Sequence, residues 1–165
     1  MSHHAQFLKA FIRNSAQVGA IAPSSVELAS LMTDWLDWNT LTSVIEYGPG
    51  TGVVTEVVTK RIQQQTRFFA IERDPQLAAI SRLRCPNVDV YEDCVSRVPT
   101  LCQEAGILQV DAILSGLPWA SFSPELQDRL LAAMFEVLPP GGKFATFAYW
   151  QGLLLPAGQR FRRFL

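Results

Sequence analysis

Residues 44–54 read V-I-E-Y-G-P-G-T-G-V-V: a β-branched run, three glycines at alternate positions (Gly48, Gly50, Gly52), then an apolar helical pattern. Glycine at those places lets the backbone take positive φ and lets a ligand lie against the main chain, while the helix that follows opens with unpaired N–H groups. Strand, tight turn and helix in that order build a cleft for a nucleotide-like molecule at the carboxyl end of a strand. Two carboxylates flank the cleft. Glu46 stands two places before the first glycine, and Glu72 closes the apolar run F-F-A-I-E, 24 residues after Gly48. A carboxylate at the second position is placed to accept from both ribose hydroxyls of a nucleoside. Capping the next helix is its alternative use, although Asp74, ahead of Pro75, already serves that end.

The glycine spacing narrows the ligand. The dinucleotide fingerprint is G-x-G-x-x-G, and here the third glycine comes one residue early. The segment E-x-G-x-G-x-G resembles motif I of the class I S-adenosylmethionine-dependent methyltransferases, whose cofactor carries a sulfonium where a dinucleotide carries a pyrophosphate. A carboxylate beside the turn is then tolerable. The resemblance implies cofactor contacts for Glu46, Gly48, Gly50, Thr51, Gly52, Glu72 and Arg73, with Asp93 and Cys94 beside the adenine and Ser115 beyond them. Helix capping by Asp93 remains open.

A second segment bears on the acceptor. Ser115-Gly116-Leu117-Pro118-Trp119 follows a strand that this topology places next to the cofactor strand. Proline stiffens the backbone, and carbonyls ahead of it can accept from an amine. G-L-P-W is similar to the N-L-P-Y of rRNA adenine dimethyltransferases, with Gly116 in place of the asparagine used there on the adenine amine. Together with F-I-R-N-S-A-Q-V-G-A-I-A-P-S-S near the start, S-G-L-P resembles the bacterial phospholipid N-methyltransferases. That family implies methyl transfer to the amine of phosphatidylethanolamine and its mono- and dimethyl products. The backbone of Ser115, Gly116 and Leu117 would orient the neutral amine, and Trp119 or Tyr149 would face the methylated product through cation–π attraction. Tyr149, a carboxylate, the lipid phosphate or water would take the ammonium proton.

These residues need a scaffold of alternating strands and helices. The patterns predict strands at 42–47, 68–72, 88–91, 110–114 and 143–150. Helices are expected at 51–62, from Asp74-Pro75, at 95–105 and from Ser123-Pro124, where Leu126, Leu130, Met134 and Phe135 would point inward. An S-x-x-E capping box at Ser24–Glu27 opens a further helix, with Leu28, Leu31, Met32, Trp35 and Leu36 as its apolar face and an end near Trp38. The fold class is therefore α/β, a doubly wound, mostly parallel Rossmann-like sheet in one domain. Core residues 39–150 are preceded by N-terminal helices and followed by a basic, aromatic tail at 151–165. A full class I methyltransferase sheet has seven strands, so the last two are expected to be missing by truncation.

Composition limits the alternatives. With 165 residues, 48% hydrophobic content and 14 Lys plus Arg against 15 Asp plus Glu, the chain can bury a substantial core. Cys85, Cys94 and Cys102 form no C-x-x-C pair, which points to a reducing compartment, with no disulfide framework and no metal site. No signal peptide is visible, and the longest apolar run is too short to span a bilayer. Every acidic residue lies between Glu27 and Glu136, leaving the ends basic. At the N-terminus, Phe7 and Phe11 alternate with Lys9 and Arg13 in an amphipathic helical pattern. Arg160, Arg162 and Arg163 interleave with aromatics at the other end. The first suits docking on the domain's own core or on an anionic membrane surface; the second, if helical, suits an anionic surface, with a disordered end as its alternative. The expected location is the cytoplasmic face of the membrane, peripherally bound. An RNA adenine methyltransferase and a non-catalytic cofactor- or membrane-binding module are the competing readings.

Overall fold

The computed structural model describes residues 26–147 and 154–165. The expectations for Phe7, Lys9, Phe11, Arg13, the Ser24 cap and Tyr149 fall outside those residues. Five strands, β1 (Ser43–Tyr47), β2 (Arg67–Glu72), β3 (Asp89–Glu92), β4 (Ala112–Ser115) and β5 (Lys143–Thr146), form one sheet in the order β3-β2-β1-β4-β5. Every pairing is parallel. The chain steps outward from β1 to β3 and then returns to β4 on the other side of β1, so β1 and β4 flank the point where strand order reverses.

The helices are α1 (Val26–Thr33), α2 (Val53–Thr59), α3 (Pro75–Arg84), α4 (Val98–Glu104), α5 (Pro124–Val137) and α6 (Pro156–Arg162). Alternation along the strands sorts them onto two faces. Val44, Ala112 and Leu114 pack with Ala29, Met32, Val54, Val57 and Val58 from α1 and α2, and Ala70 and Val90 pack with Ala78 of α3. On the opposite face Ile45, Tyr47, Phe69, Ile71 and Ile113 meet α4, α5 and Phe161 of α6. The doubly wound class expected from the sequence is the observed one.

Local chemistry explains several boundaries. Asp74 caps α3 by accepting from the amides of Gln76 and Leu77, and Ser123 caps α5 by accepting from Leu126, each with proline at the first helical turn. At the sheet's other end Asp111 Oδ2 accepts from the amides of Thr42 (2.6 Å) and Ser43 (3.0 Å), tying the start of β1 to the residue before β4.

Some expectations are corrected. α1 ends at Thr33, not near Trp38, and Leu31 and Trp35 are 73% and 51% exposed. They line an open groove of about 340 Å³ with Leu28, Met32, Phe144 and Leu165. On α5 Phe135 is exposed, and the inward residues are Leu130, Leu131, Met134 and Val137. The 95–105 segment is a 3₁₀ turn at Val95–Arg97 followed by α4, because Pro99 sits in the first turn of the α-helix. Among the described residues no helix is long and apolar enough to cross a membrane.

Candidate cofactor and acceptor site

The glycine turn leaves β1 at the strand-order reversal. Gly48, Gly50 and Gly52 all have positive φ, at 67°, 58° and 79°, a conformation that side chains disfavour. Gly48 N donates to the Ile71 carbonyl at 2.9 Å, which fastens the turn to the end of β2. Gly50 is the open member, since a Cβ there would meet nothing within 4 Å.

Glu72 ends β2 directly beside this turn and is 4% exposed. Its Oε2 accepts from Gly50 N at 3.1 Å and its Oε1 from Asp74 N at 2.9 Å. Burial pushes its carboxyl pKa up, and the amides of Asp74 and Gly50 partly oppose that. The Glu72 carbonyl accepts from Asp93 N at 3.1 Å, carrying the connection to the end of β3. Asp93 Oδ1 accepts from Cys94 N and its Oδ2 pairs with Arg97 at 3.1 Å. Asp93 makes no capping bond to α4, whose cap residue is Arg97. One continuous hydrogen-bonded rim thus joins Gly48, Gly50, Glu72 and Asp93. Thr51 lies on it with its carbonyl accepting from Arg84, Cys94 is half-buried with its sulfur against Ser96, and Arg73 is exposed at its edge.

Glu46 behaves differently from expectation. It shares the face of Val44 and points under the turn toward α2, 2% exposed, with Oε2 accepting from Thr55 Oγ1 at 2.7 Å. Burial raises its pKa to about 8, the Thr55 bond opposes the rise, and the Glu72 charge adds to it. The carboxyl therefore holds its proton near neutrality and braces the turn against the helix, with no opening to the cleft.

On the acceptor side, Ser115 is fully buried. Its Oγ accepts from Trp119 Nε1 at 2.9 Å and its carbonyl accepts from Thr146 Oγ1 at 3.0 Å. The Leu117 carbonyl accepts from Trp119 N. Among the described residues the Gly116 carbonyl is the one of the three that accepts no hydrogen bond. Trp119 is corrected: it is 3% exposed and stacked on Phe161 at 4.6 Å between ring centroids, so it faces neither a methylated amine nor a membrane. Arg160 is also held internally, by Asp128 (2.6 Å), by Gln127 and over the Phe164 ring. Arg162 and Arg163 remain exposed.

Sequence reasoning missed Thr55, although it lies in the first turn of the helix after the glycines. It also missed Gln127, fully buried on α5, whose Nε2 donates to the carbonyls of Trp119 (2.8 Å) and Ala157 (3.0 Å) and so fixes the acceptor turn and α6 together. A polar residue on an otherwise apolar helix face was its only signal.

A parallel sheet reversing between β1 and β4, with a glycine turn at that reversal and a buried carboxylate ending the neighbouring strand, defines a class I methyltransferase, an enzyme that takes its methyl group from S-adenosylmethionine. Residues 3–102 match the family model described as Protein-L-isoaspartate(D-aspartate) O-methyltransferase (PCMT), and the chain belongs to this family of methyltransferases. It is 36% identical over 141 residues to an ornithine lipid N-methyltransferase of Singulisphaera acidiphila, covering 84% of this chain and 73% of that protein. Ribosomal RNA small subunit methyltransferase A of Chlorobaculum tepidum is 32% identical over 83 residues, 50% of this chain and 28% of that one. Among solved structures TrmN from Thermus thermophilus superposes with a TM-score of 0.62 at 17% identity, over 89% of this chain and 46% of TrmN. The chain thus spans less than half of TrmN and most of the lipid enzyme.

The residues present fit the cofactor. The open side of Gly50 gives room against the main chain, and the two-oxygen acceptor of Glu72 lies beside it.

Proposed function

We propose that this chain methylates the amine of a membrane lipid, phosphatidylethanolamine and its mono- and dimethyl products or an ornithine lipid, while bound peripherally at the cytoplasmic face of the membrane. The observation that carries this reading is the 36% identity to an ornithine lipid N-methyltransferase across 84% of the chain. The S-G-L-P turn, which offers a main-chain carbonyl where the rRNA adenine dimethyltransferase motif has an asparagine, supports it.

In this reading the Gly48–Gly52 backbone and Glu72 hold the nucleoside part of the cofactor, with Asp93 and Cys94 at its far end. When bound, S-adenosylmethionine supplies a methyl group on a sulfonium, which is already a good leaving group. The chain's own contribution is positioning and exclusion of water. The Gly116 carbonyl accepts an N–H of the neutral primary or secondary amine and aims its lone pair, and Leu117 closes the turn against solvent. The ammonium proton leaves beforehand to a group other than Glu46, which is sealed behind the turn. Exposed Arg162 and Arg163, with Lys9 and Arg13 near the N-terminus, supply charge for an anionic lipid surface.

Incubation with methyl-labelled S-adenosylmethionine and vesicles of phosphatidylglycerol, alone or with phosphatidylethanolamine or ornithine lipid, tests the assignment. Label should enter the lipid extract only where an amine lipid is present. The match to rRNA methyltransferases favours ribosomal RNA as a second reading, and label in added rRNA but in no lipid would replace the proposal with it. Label in neither would leave an inert binding module. Deleting residues 1–13 should weaken binding to anionic vesicles while S-adenosylhomocysteine affinity in solution persists.

A further inference from the structure

At Gly116 the turn after β4 meets the turn after β1 main chain to main chain. Gly116 N donates to the Tyr47 carbonyl at 2.8 Å. A Cβ added to Gly116 would lie 2.5 Å from the Gly48 carbonyl oxygen, with the Gly48 carbonyl carbon and the Tyr47 oxygen both at 3.6 Å. From the other direction, Leu117 Cδ2 lies 2.9 Å from where a Gly48 Cβ would be. The obstruction facing Gly116 is main chain, so it cannot rotate aside as a flexible side chain would. Nor can either turn drift freely, because Tyr47 is in register with both Ile71 and Ser115, and Gly48 N is fastened to Ile71.

We propose that Gly116 is a positioning residue whose missing side chain lets the acceptor turn lock onto the cofactor turn, so that the Gly48 main chain is held in place from the β4 side. The contact transmits position directly: any side chain at 116 displaces the Gly48 carbonyl, and with it the turn that Glu72 grips at Gly50. An asparagine at this place cannot be accommodated without moving the cofactor turn, so the amine in this site meets main chain and Leu117 instead of a side-chain amide. Only that last consequence rests on the amine-lipid reading. The interlock itself is independent of the acceptor, and so are its binding and exchange tests.

The variant Gly116→Ala in the full chain is compared with wild type by thermal unfolding, by calorimetric titration with S-adenosylhomocysteine and by amide hydrogen exchange. It should fold, bind S-adenosylhomocysteine roughly tenfold more weakly, and exchange faster at Gly48 and Gly50 while Ala70 and Tyr91 in the β2–β3 pair keep their protection. Misplacing a positioned group by a fraction of an ångström to an ångström costs up to about a hundredfold in rate, so kcat for the true acceptor should fall more than its KM changes. A uniform rise in exchange across the sheet would reduce Gly116 to a folding role and overturn the proposal, as would unchanged affinity and exchange. Leu117→Ala, which removes the cover over Gly48 without adding bulk, serves if the first variant does not fold. It should raise exchange at Gly48 and weaken S-adenosylhomocysteine binding, and no change in either refutes the interlock.

Discussion

Replacing Glu46 by Gln should change how stability depends on pH. Glu46 is 2% exposed, and burial, opposed by the Thr55 bond and reinforced by the Glu72 charge, lifts its pKa from 4.5 to about 8. Cys85, whose thiol pKa is itself raised chiefly by burial and then by the Glu46 charge, is the other titratable group facing it. A carboxyl with a folded-state pKa above its unfolded value binds more protons folded than unfolded. Its contribution is therefore fully present below pH 4.5, declines as pH rises, and is lost through the folded value near 8. At ~1.4 kcal/mol per pH unit, the rise from 4.5 to about 8 sets a ceiling of ~5 kcal/mol, which water drawn in to solvate the anion would lower. Glutamine keeps an oxygen for Thr55 and removes the titration. Urea unfolding followed by tryptophan fluorescence at pH 5 to 9 should show the wild type losing stability relative to Glu46→Gln as pH rises, with Asp111, which does not interact with Glu46, cancelling in the difference. Parallel curves for the two proteins would refute the placement of Glu46 as a buried, protonated brace.

Glu72→Ala should weaken S-adenosylhomocysteine binding by ~1–3 kcal/mol in calorimetry, because ribose hydroxyls and the Gly50 amide both lose an acceptor. Trp119→Phe should keep the stack on Phe161 but lose the bond to Ser115, costing ~1 kcal/mol of unfolding free energy, and should leave vesicle binding unchanged because the ring is internal. For Asp111 burial acts to raise the pKa, but four hydrogen bonds from Thr42 and Ser43 outweigh it and the net pKa is lowered. Its stabilisation is present above the unfolded value and is lost as pH falls through the folded one. Asp111→Asn should therefore be destabilised at neutral pH in thermal melts and approach wild type in acid.

The strands and the glycine turn were legible because their causes are local. Alternate glycines with positive φ, an acid closing an apolar run and proline after a capping side chain each act within a few residues. What escaped the sequence depends on distant neighbours. Helical periodicity marks an apolar stripe on α1 and α5 but not how far the sheet reaches under it, which is why Leu31, Trp35 and Phe135 are exposed. Trp119 reads as an acceptor-side aromatic until Phe161, 42 residues later, is found stacked on it. Glu46 reads as a charge beside the cleft, yet the twofold alternation of β1 sends its side chain to the α2 face, where Thr55 receives it. Gly116 is informative only once the β1 and β4 turns are known to touch.

The most direct measurement is a crystal structure with S-adenosylhomocysteine bound. The expected result is a nucleoside lying against Gly48 to Gly52 with both ribose hydroxyls donating to Glu72. A nucleoside bound elsewhere, or one on the glycine turn whose ribose points away from Glu72, would contradict it.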